Sequence, residues 1–171
     1  MIKIGLISDT HGTMSPRVLK FLEPVDELWH AGDIGTVELA DELAMFKPLR
    51  AVFGNIDDYV IRRMFPENLR FVCEKTDIFL THIGGSPGHY APQIRKEIYS
   101  NPPRLFICGH SHILKVMYDK KINCLYMNPG AAGNKGFHHV CTAMRFRIDQ
   151  ENITDLEVLE FERNQFQQIT S

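Results

Sequence analysis

Five short segments of the chain carry residue types that bind metals: Asp9-Thr10-His11-Gly12, His30-Ala31-Gly32-Asp33, Gly54-Asn55-Ile56-Asp57, Thr81-His82 and Gly109-His110-Ser111-His112. Each follows an apolar run with the composition of a strand. Carboxylate, amide and imidazole groups together form a mixed oxygen and nitrogen donor set. Such a set suits Mn above all, with Fe, Zn, Ni or Co as alternatives, better than Ca or Mg. The i, i+2 spacing of His110 and His112 in a loop lets both imidazoles approach one centre. Two divalent ions a few ångströms apart lower the pKa of a water and stabilise both oxygens of an in-line displacement at phosphorus. Cysteine takes no part. Cys73, Cys108, Cys124 and Cys141 are far apart in sequence, without a C-x-x-C pair, and read as buried free thiols in a reducing compartment.

The charge balance frames this chemistry. With 19 basic against 21 acidic residues, the formal net charge is −2 and no basic stripe exists for extended nucleic acid or an anionic membrane. An anionic substrate must therefore be attracted locally. Two divalent ions carry +4 and Asp9 with Asp33 returns only −2, so a dinuclear pocket would be net positive inside a slightly acidic protein.

The elements that must position these residues can be read from periodicity and turn chemistry. The 171 residues, 44% of them hydrophobic, correspond to one domain. We place it at residues 1–164, followed by a frayed polar tail at 165–171. Strands are expected over Ile2–Ile7, Glu27–His30 and Leu49–Phe53. Between them lie helices over Pro16–Leu22, capped by Ser15, and from Thr36 through Met45. Leu69–Glu74 and Asp77–Thr81 form a hairpin. A Gly/Pro-rich loop over Gly84–Pro92 leads into a helix over Gln93–Tyr99. Arg104–Cys108 is a buried strand, and Val116–Tyr118 pairs with Ile122–Met127. Thr142–Ile148 and Ile153–Phe161 alternate like half-buried antiparallel strands. The resulting class is α/β, with two mixed sheets packed together and flanked by helices. In open α/β sheets ligands bind beyond the carboxyl ends of the strands, which is where the five segments fall. No apolar stretch is long enough for a secretory signal or a membrane span, so the protein is expected to be soluble and cytoplasmic.

In that order, D-x-H, G-D, G-N, a histidine after a strand and G-H-x-H resemble the motifs of the calcineurin-like metallophosphoesterases. The short chain and Asn128-Pro129-Gly130-Ala131 look most like the small single-domain phosphodiesterase branch. The resemblance covers roughly residues 2 to 148. It implies the four-layer α/β/β/α sandwich of the metallophosphatase fold. It also implies one ion held by Asp9, His11, Asp33 and His112, and a second held by Asp33, Asn55, His82 and His110, with Asp33 bridging. Asp33 and Asn55 would then serve catalysis through metal and phosphate positioning, and a hydroxide bridging the two ions would attack a small phosphate ester, most naturally a diester. Alternatives on the same fold are a phosphomonoesterase or nucleotide hydrolase, and a non-catalytic scaffold like the phosphoesterase-like subunit of the retromer coat. A nuclease fits less well, because the chain lacks a capping domain. Homo-oligomerisation is left open.

Two departures from the family pattern matter. Ile56 stands where many relatives have a histidine that assists leaving-group protonation, and isoleucine cannot donate a proton. The segment Thr81 to His89 is longer than a compact T-H-G-H, which leaves His89 free as a substrate contact or merely as a surface residue. His138, in a loop with His139, is a second candidate substrate contact and is expected to face solvent. His30 reads as a hydrogen-bonded residue inside the sheet. Asp57 and Asp58 read as the N-cap of a short helix, and Asn128–Gly130 as a tight loop under the site.

Overall fold

The computed structural model of the chain describes residues 1–169; the last two residues of the expected tail lie outside them. In chain order the elements are β1 (Ile2–Ile7), α1 (Pro16–Leu22), β2 (Glu27–His30), α2 (Val37–Phe46), β3 (Leu49–Ala51) and α3 (Tyr59–Met64). Then come β4 (Asn68–Cys73), β5 (Thr76–Thr81), β6 (Gly85–Ser86), β7 (His89–Tyr90), α4 (Pro92–Ser100) and β8 (Leu105–Ile107). The chain finishes with β9 (Leu114–Asp119), β10 (Cys124–Pro129), β11 (Val140–Asp149), β12 (Asn152–Glu162) and a 3₁₀ turn at Arg163–Gln165.

Local chemistry sets the helix starts. The Ser15 hydroxyl accepts from the Arg17 amide ahead of Pro16, and Thr36 accepts from the Leu39 amide. Asp58, not Asp57, caps α3, accepting from Val60 and Ile61. The strands build two five-stranded mixed sheets, ordered β12-β11-β1-β2-β3 and β4-β5-β8-β10-β9. Their facing sides share one core that includes Ile4, Leu6 and Trp29 from the first sheet and Ile78, Leu80, Ile107 and Met127 from the second. On the outside of the first sheet, Val18 and Leu22 of α1 and Leu39 and Leu43 of α2 pack on Ile7 and Leu28. On the outside of the second, Ile94 and Ile98 of α4 pack on Phe79, Phe106 and Tyr126. The molecule is thus the expected α/β/β/α sandwich, because each sheet has two apolar faces and must cover both.

Strand direction does the positioning. β1, β2 and β3 run parallel, with Ile7 opposite His30 and His30 opposite Ala51. In the second sheet β5 and β8 run parallel, with Leu80 opposite Ile107. Five strands therefore end at one edge of the sandwich, and the loops beyond them are the five motif segments. Two expectations about loops are corrected. The Gly/Pro-rich stretch before α4 holds a small hairpin, β6–β7, with Ser86 opposite His89. The start of the expected polar tail is tied down: Phe166 is buried against Phe161 and Val18, the Ser15 hydroxyl donates to its carbonyl at 2.5 Å, and Arg17 Nε donates to the Gln168 carbonyl at 3.2 Å. One aromatic in a polar run suffices, since α1 leaves an apolar hollow for it.

The four cysteines are free and buried, and burial pushes the Cys108 thiol up to about 11 and the Cys124 thiol to about 12. Among the described residues no helix is long and apolar enough to cross a membrane. Phe166→Ala should destabilise the protein by about 3 kcal/mol in denaturant titration, whereas Gln167→Ala should change stability by less than about 0.5 kcal/mol. Equal effects would mean that the terminal segment is not anchored by its aromatic.

Candidate metal centre

The backbone at the strand ends is bent in an unusual way. Nine described non-glycine residues have positive φ, and five of them are expected ligands: Asp9 (54°), His11 (47°), Asp33 (56°), His110 (69°) and His112 (60°). Left-handed conformations cost an ordinary residue about 1 kcal/mol or more each. Here they turn the chain back at once, so that side chains leave the strand ends toward a shared point instead of continuing along the strand. Gly54 makes room for the convergence: a Cβ there would lie 2.0 Å from Asp33 Oδ1.

The strained loops are held by buried polar residues. Asp57 accepts from the amides of Gly54 (2.8 Å), Ile34 (3.1 Å) and Gly35 (2.8 Å), which clamps the Asn55 loop to the Asp33 loop. The expectation that Asp57 shares in capping is corrected accordingly; its carboxylate points inward because three amide donors await it there. His30 is fully buried, and burial brings its pKa down to about 3. The Thr10 hydroxyl donates to the Ile34 carbonyl, so it accepts from His30 Nε2 at 2.9 Å, while His30 Nδ1 accepts from the Gly32 amide. Neutral His30 thereby joins the first two motif loops. Asn128 Nδ2 donates to the Gly109 carbonyl and the Ser111 hydroxyl, which supports the loop of His110 and His112 from below.

The side chains converge as two sets. Asp9, His11 and His112 offer atoms within 4.8 Å of one another, as do Asp33, His82 and His110. The sets are adjacent: His11 Nε2 lies 3.7 Å from Asp9 Oδ1 and 3.5 Å from Asp33 Oδ2, and His82 Nε2 lies 3.2 Å from Asp33 Oδ2 and 3.9 Å from Asp9 Oδ1. His112 Nε2 is 3.1 Å from Asp9 Oδ1. Asn55 Oδ1 sits 3.0 Å from both His82 Nε2 and His110 Nδ1. All seven expected ligands are therefore brought together.

The hydrogen-bond accounting fits a cation here. Asp9 Oδ1 and His11 Nε2 are buried with no hydrogen-bond partner, which a protein rarely tolerates. His82 Nδ1 lies 2.7 Å from the Ala31 carbonyl and must donate to it, so Nε2 presents a lone pair to Asp33 Oδ2 and Asn55 Oδ1. Only a proton or a metal ion makes that contact attractive. Burial works against a charged Asp9, but the imidazoles of His11, His112 and His82 close by and the Ser8 hydroxyl outweigh it and hold the carboxyl far below the usual range. Burial likewise opposes the charges of Asp33 and His82, and their mutual contact overrides it, lowering Asp33 and raising His82. Seven oxygen- and nitrogen-bearing side chains, two of whose atoms have no partner, suit divalent first-row ions.

His138 has a different place from the one expected. It is half-buried rather than solvent-facing: Nε2 lies 2.8 Å from the Gly133 carbonyl and Nδ1 lies 3.0 Å from His112 Nδ1. A nitrogen facing a carbonyl carries the proton, so His138 Nδ1 is the acceptor and His112 Nδ1–H the donor. Burial lowers the pKa of His138, which keeps it neutral in this role. The chain from Gly133 through His138 leaves His112 Nε2 as a lone pair aimed at the centre, the kind of support that fixes a metal-binding imidazole. His89 is exposed on β7 and does not line the cavity over the centre, and His139 is exposed. That cavity, about 560 Å³, includes Ile113 and Phe137, which residue chemistry alone did not single out.

Residues 2–151 match the family model for the calcineurin-like phosphoesterase superfamily domain. The chain belongs to this superfamily. It is 27% identical over 164 residues to a "Probable metallophosphoesterase" of Methanothermobacter thermautotrophicus, with 91% of each chain covered. Among solved structures it resembles an archaeal phosphodiesterase with a TM-score of 0.70 at 20% identity, over 92% of this chain and 100% of the other. Vps29 of Entamoeba histolytica complexed with zinc gives a TM-score of 0.73 at 16% identity, over 95% of this chain and 100% of that one. Family membership and the two ligand sets make this chain a metal-dependent phosphoesterase in its general class.

Replacing His138 should weaken the centre selectively. We expect His138→Phe to lower Zn²⁺ affinity, measured by chelator competition, by about 10-fold or more. His138→Asn, whose amide oxygen can accept from His112, should restore most of it. Unchanged affinity in His138→Phe would show that His112 needs no such support.

Proposed function

We propose that the protein is a phosphodiesterase that works with two divalent metal ions, Mn being the best match, on a small phosphate ester. The observation that carries this reading is the pair of adjacent donor sets with the orphaned Asp9 Oδ1 and His11 Nε2 between them. Asp9, His11, Asp33 and His112 would hold one ion, and Asp33, Asn55, His82 and His110 the other, with Asp33 shared. When bound, the ions supply Lewis-acid charge for the phosphate and a water of lowered pKa. The protein's own groups then act by placement. Asn55 fixes a neutral oxygen beside the phosphate position, and Asp33 is kept in place by the Ile56 amide, which donates to its Oδ1 at 3.0 Å. His82, His110 and His112 would hold metal rather than act as bases.

No proton donor stands at the position after Asn55, where Ile56 is exposed at the rim. Good leaving groups such as aryl oxides are therefore favoured. The domain comprises residues 1–164 with a short C-terminal extension, and four buried free thiols fit a cytoplasmic setting. The lack of any basic stripe favours a small substrate over extended nucleic acid. A second reading, a protein-interaction scaffold, draws support from the Vps29 neighbours. The intact donor set favours the enzyme.

Purified protein with Mn²⁺ should hydrolyse bis-p-nitrophenyl phosphate and stop in EDTA, and Asp33→Ala should lower kcat/KM by at least about 10³-fold while weakening Mn²⁺ binding. Absence of turnover with Mn, Fe, Co, Ni and Zn alike would favour the scaffold.

A further inference from the structure

The cavity above the metal centre has two halves of opposite character. Its floor carries five of the donor residues, His11, Asp33, Asn55, His110 and His112. Its rim is formed by Ile56, Ile113 and Phe137, which are exposed to 46%, 65% and 101% respectively. Among the described residues no lysine or arginine lines it. Arg62, nearby, is committed elsewhere: Nε donates to the Asp57 carbonyl at 2.7 Å, a terminal nitrogen donates to the Asn55 carbonyl at 3.1 Å, and the guanidinium lies over the Phe53 ring.

Phe137 is bare, but its backbone is not loose. Arg163 donates to the Gly136 carbonyl at 2.6 Å, and the Arg163 amide donates to the His139 carbonyl at 2.9 Å. His138 is bonded at both ring nitrogens, and Asn134 Oδ1 accepts from the Thr13 hydroxyl at 3.0 Å. Gly136 has φ 130°, and a Cβ there would lie 2.6 Å from His112 Cε1, so the backbone before Phe137 rests directly on the His112 ring. The residue that carries the exposed aromatic is thus registered to a ligand of the centre. A fully exposed aromatic on a pinned loop, beside a polar floor, has the form of a binding anchor: apolar area held in place before a ligand arrives.

We propose that Phe137, with Ile113 and Ile56, is the specificity surface of this site and takes an aromatic substituent of a monoanionic phosphodiester. The inference rests on the phosphodiesterase reading and adds to it the class of group beyond phosphorus. The phosphate sits on the floor. The substituent lies across the rim, where the flat face of Phe137 and the two branched side chains offer contact area and no charge. A substrate with further phosphates or carboxylates would bring anions to a wall that holds no cation, so a nucleoside polyphosphate fits poorly. One negative charge on the diester is matched by the floor alone.

Calorimetry on Mn²⁺-loaded protein separates the rim from the centre without requiring turnover. Diphenyl phosphate should bind at least about 10-fold tighter than dimethyl phosphate. Phe137→Ala should remove most of that advantage and leave dimethyl phosphate and Mn²⁺ binding unchanged, whereas Phe137→Trp should keep it. Equal binding of the two diesters by the wild-type protein would overturn the proposal and leave the phosphodiesterase reading intact. So would a Phe137→Ala variant that loses both to the same degree, since that marks a structural role for the loop. If neither diester binds while Mn²⁺ does, the phosphodiesterase reading fails and the rim proposal falls with it.

Discussion

The buried carboxylate of Asp9 organises this molecule. It sits at the carboxyl end of a central strand with no exposure to solvent, and three histidine side chains approach its Oδ1 within 3.9 Å. A buried anion is tolerated only when it is compensated. Its other oxygen is compensated by the protein itself, through the Ser8 hydroxyl at 2.6 Å and the His110 amide at 3.1 Å. Oδ1 is left for the centre. The same residue therefore ties the first motif loop to the last, although 101 positions of sequence separate Asp9 from His110.

This arrangement is bought with local strain, and the fold supplies rigidity in return. Five ligand residues in the left-handed region would relax toward ordinary conformations if their loops were free. They are not free, because Asp57, His30 and Asn128 staple the loops that carry them to a neighbour, and parallel strands behind them fix the spacing. The orphaned Asp9 Oδ1 and His11 Nε2 oppose folding on their own, since each is buried without a partner. A bound cation would satisfy both atoms and add stability through linkage. Structure and metal chemistry are in this sense a single problem, with the sandwich holding open a site that its own charges would not favour.

The division of labour across the cavity follows from the same economy of charge. Positive potential would not need to be spread over the surface if bound ions concentrated it at the floor, which is compatible with a chain near neutral overall. Ile56, Ile113 and Phe137 are then free to be apolar, and under the proposed specificity what distinguishes one ester from another would shift from charge to contact area.

Motif order and strand-end position made the seven donors legible, because a ligand set needs particular side chains after particular strands and leaves both marks in one dimension. The helix caps Ser15 and Thr36 and the buried runs of β1, β2 and β8 were legible for the same local reason. What the chain alone left undecided depended on partners far away in sequence. Asp57 looked like a cap until Gly54, Ile34 and Gly35 supplied its donors. Phe166 looked like part of a polar tail until α1 covered it. His138 looked like an exposed loop residue until its two nitrogens met Gly133 and His112. Sequence by itself determined which atoms are available to bind metal. Only tertiary structure decided their orientation, their protonation and the apolar rim above them, since those properties belong to contacts between loops and have no local signature.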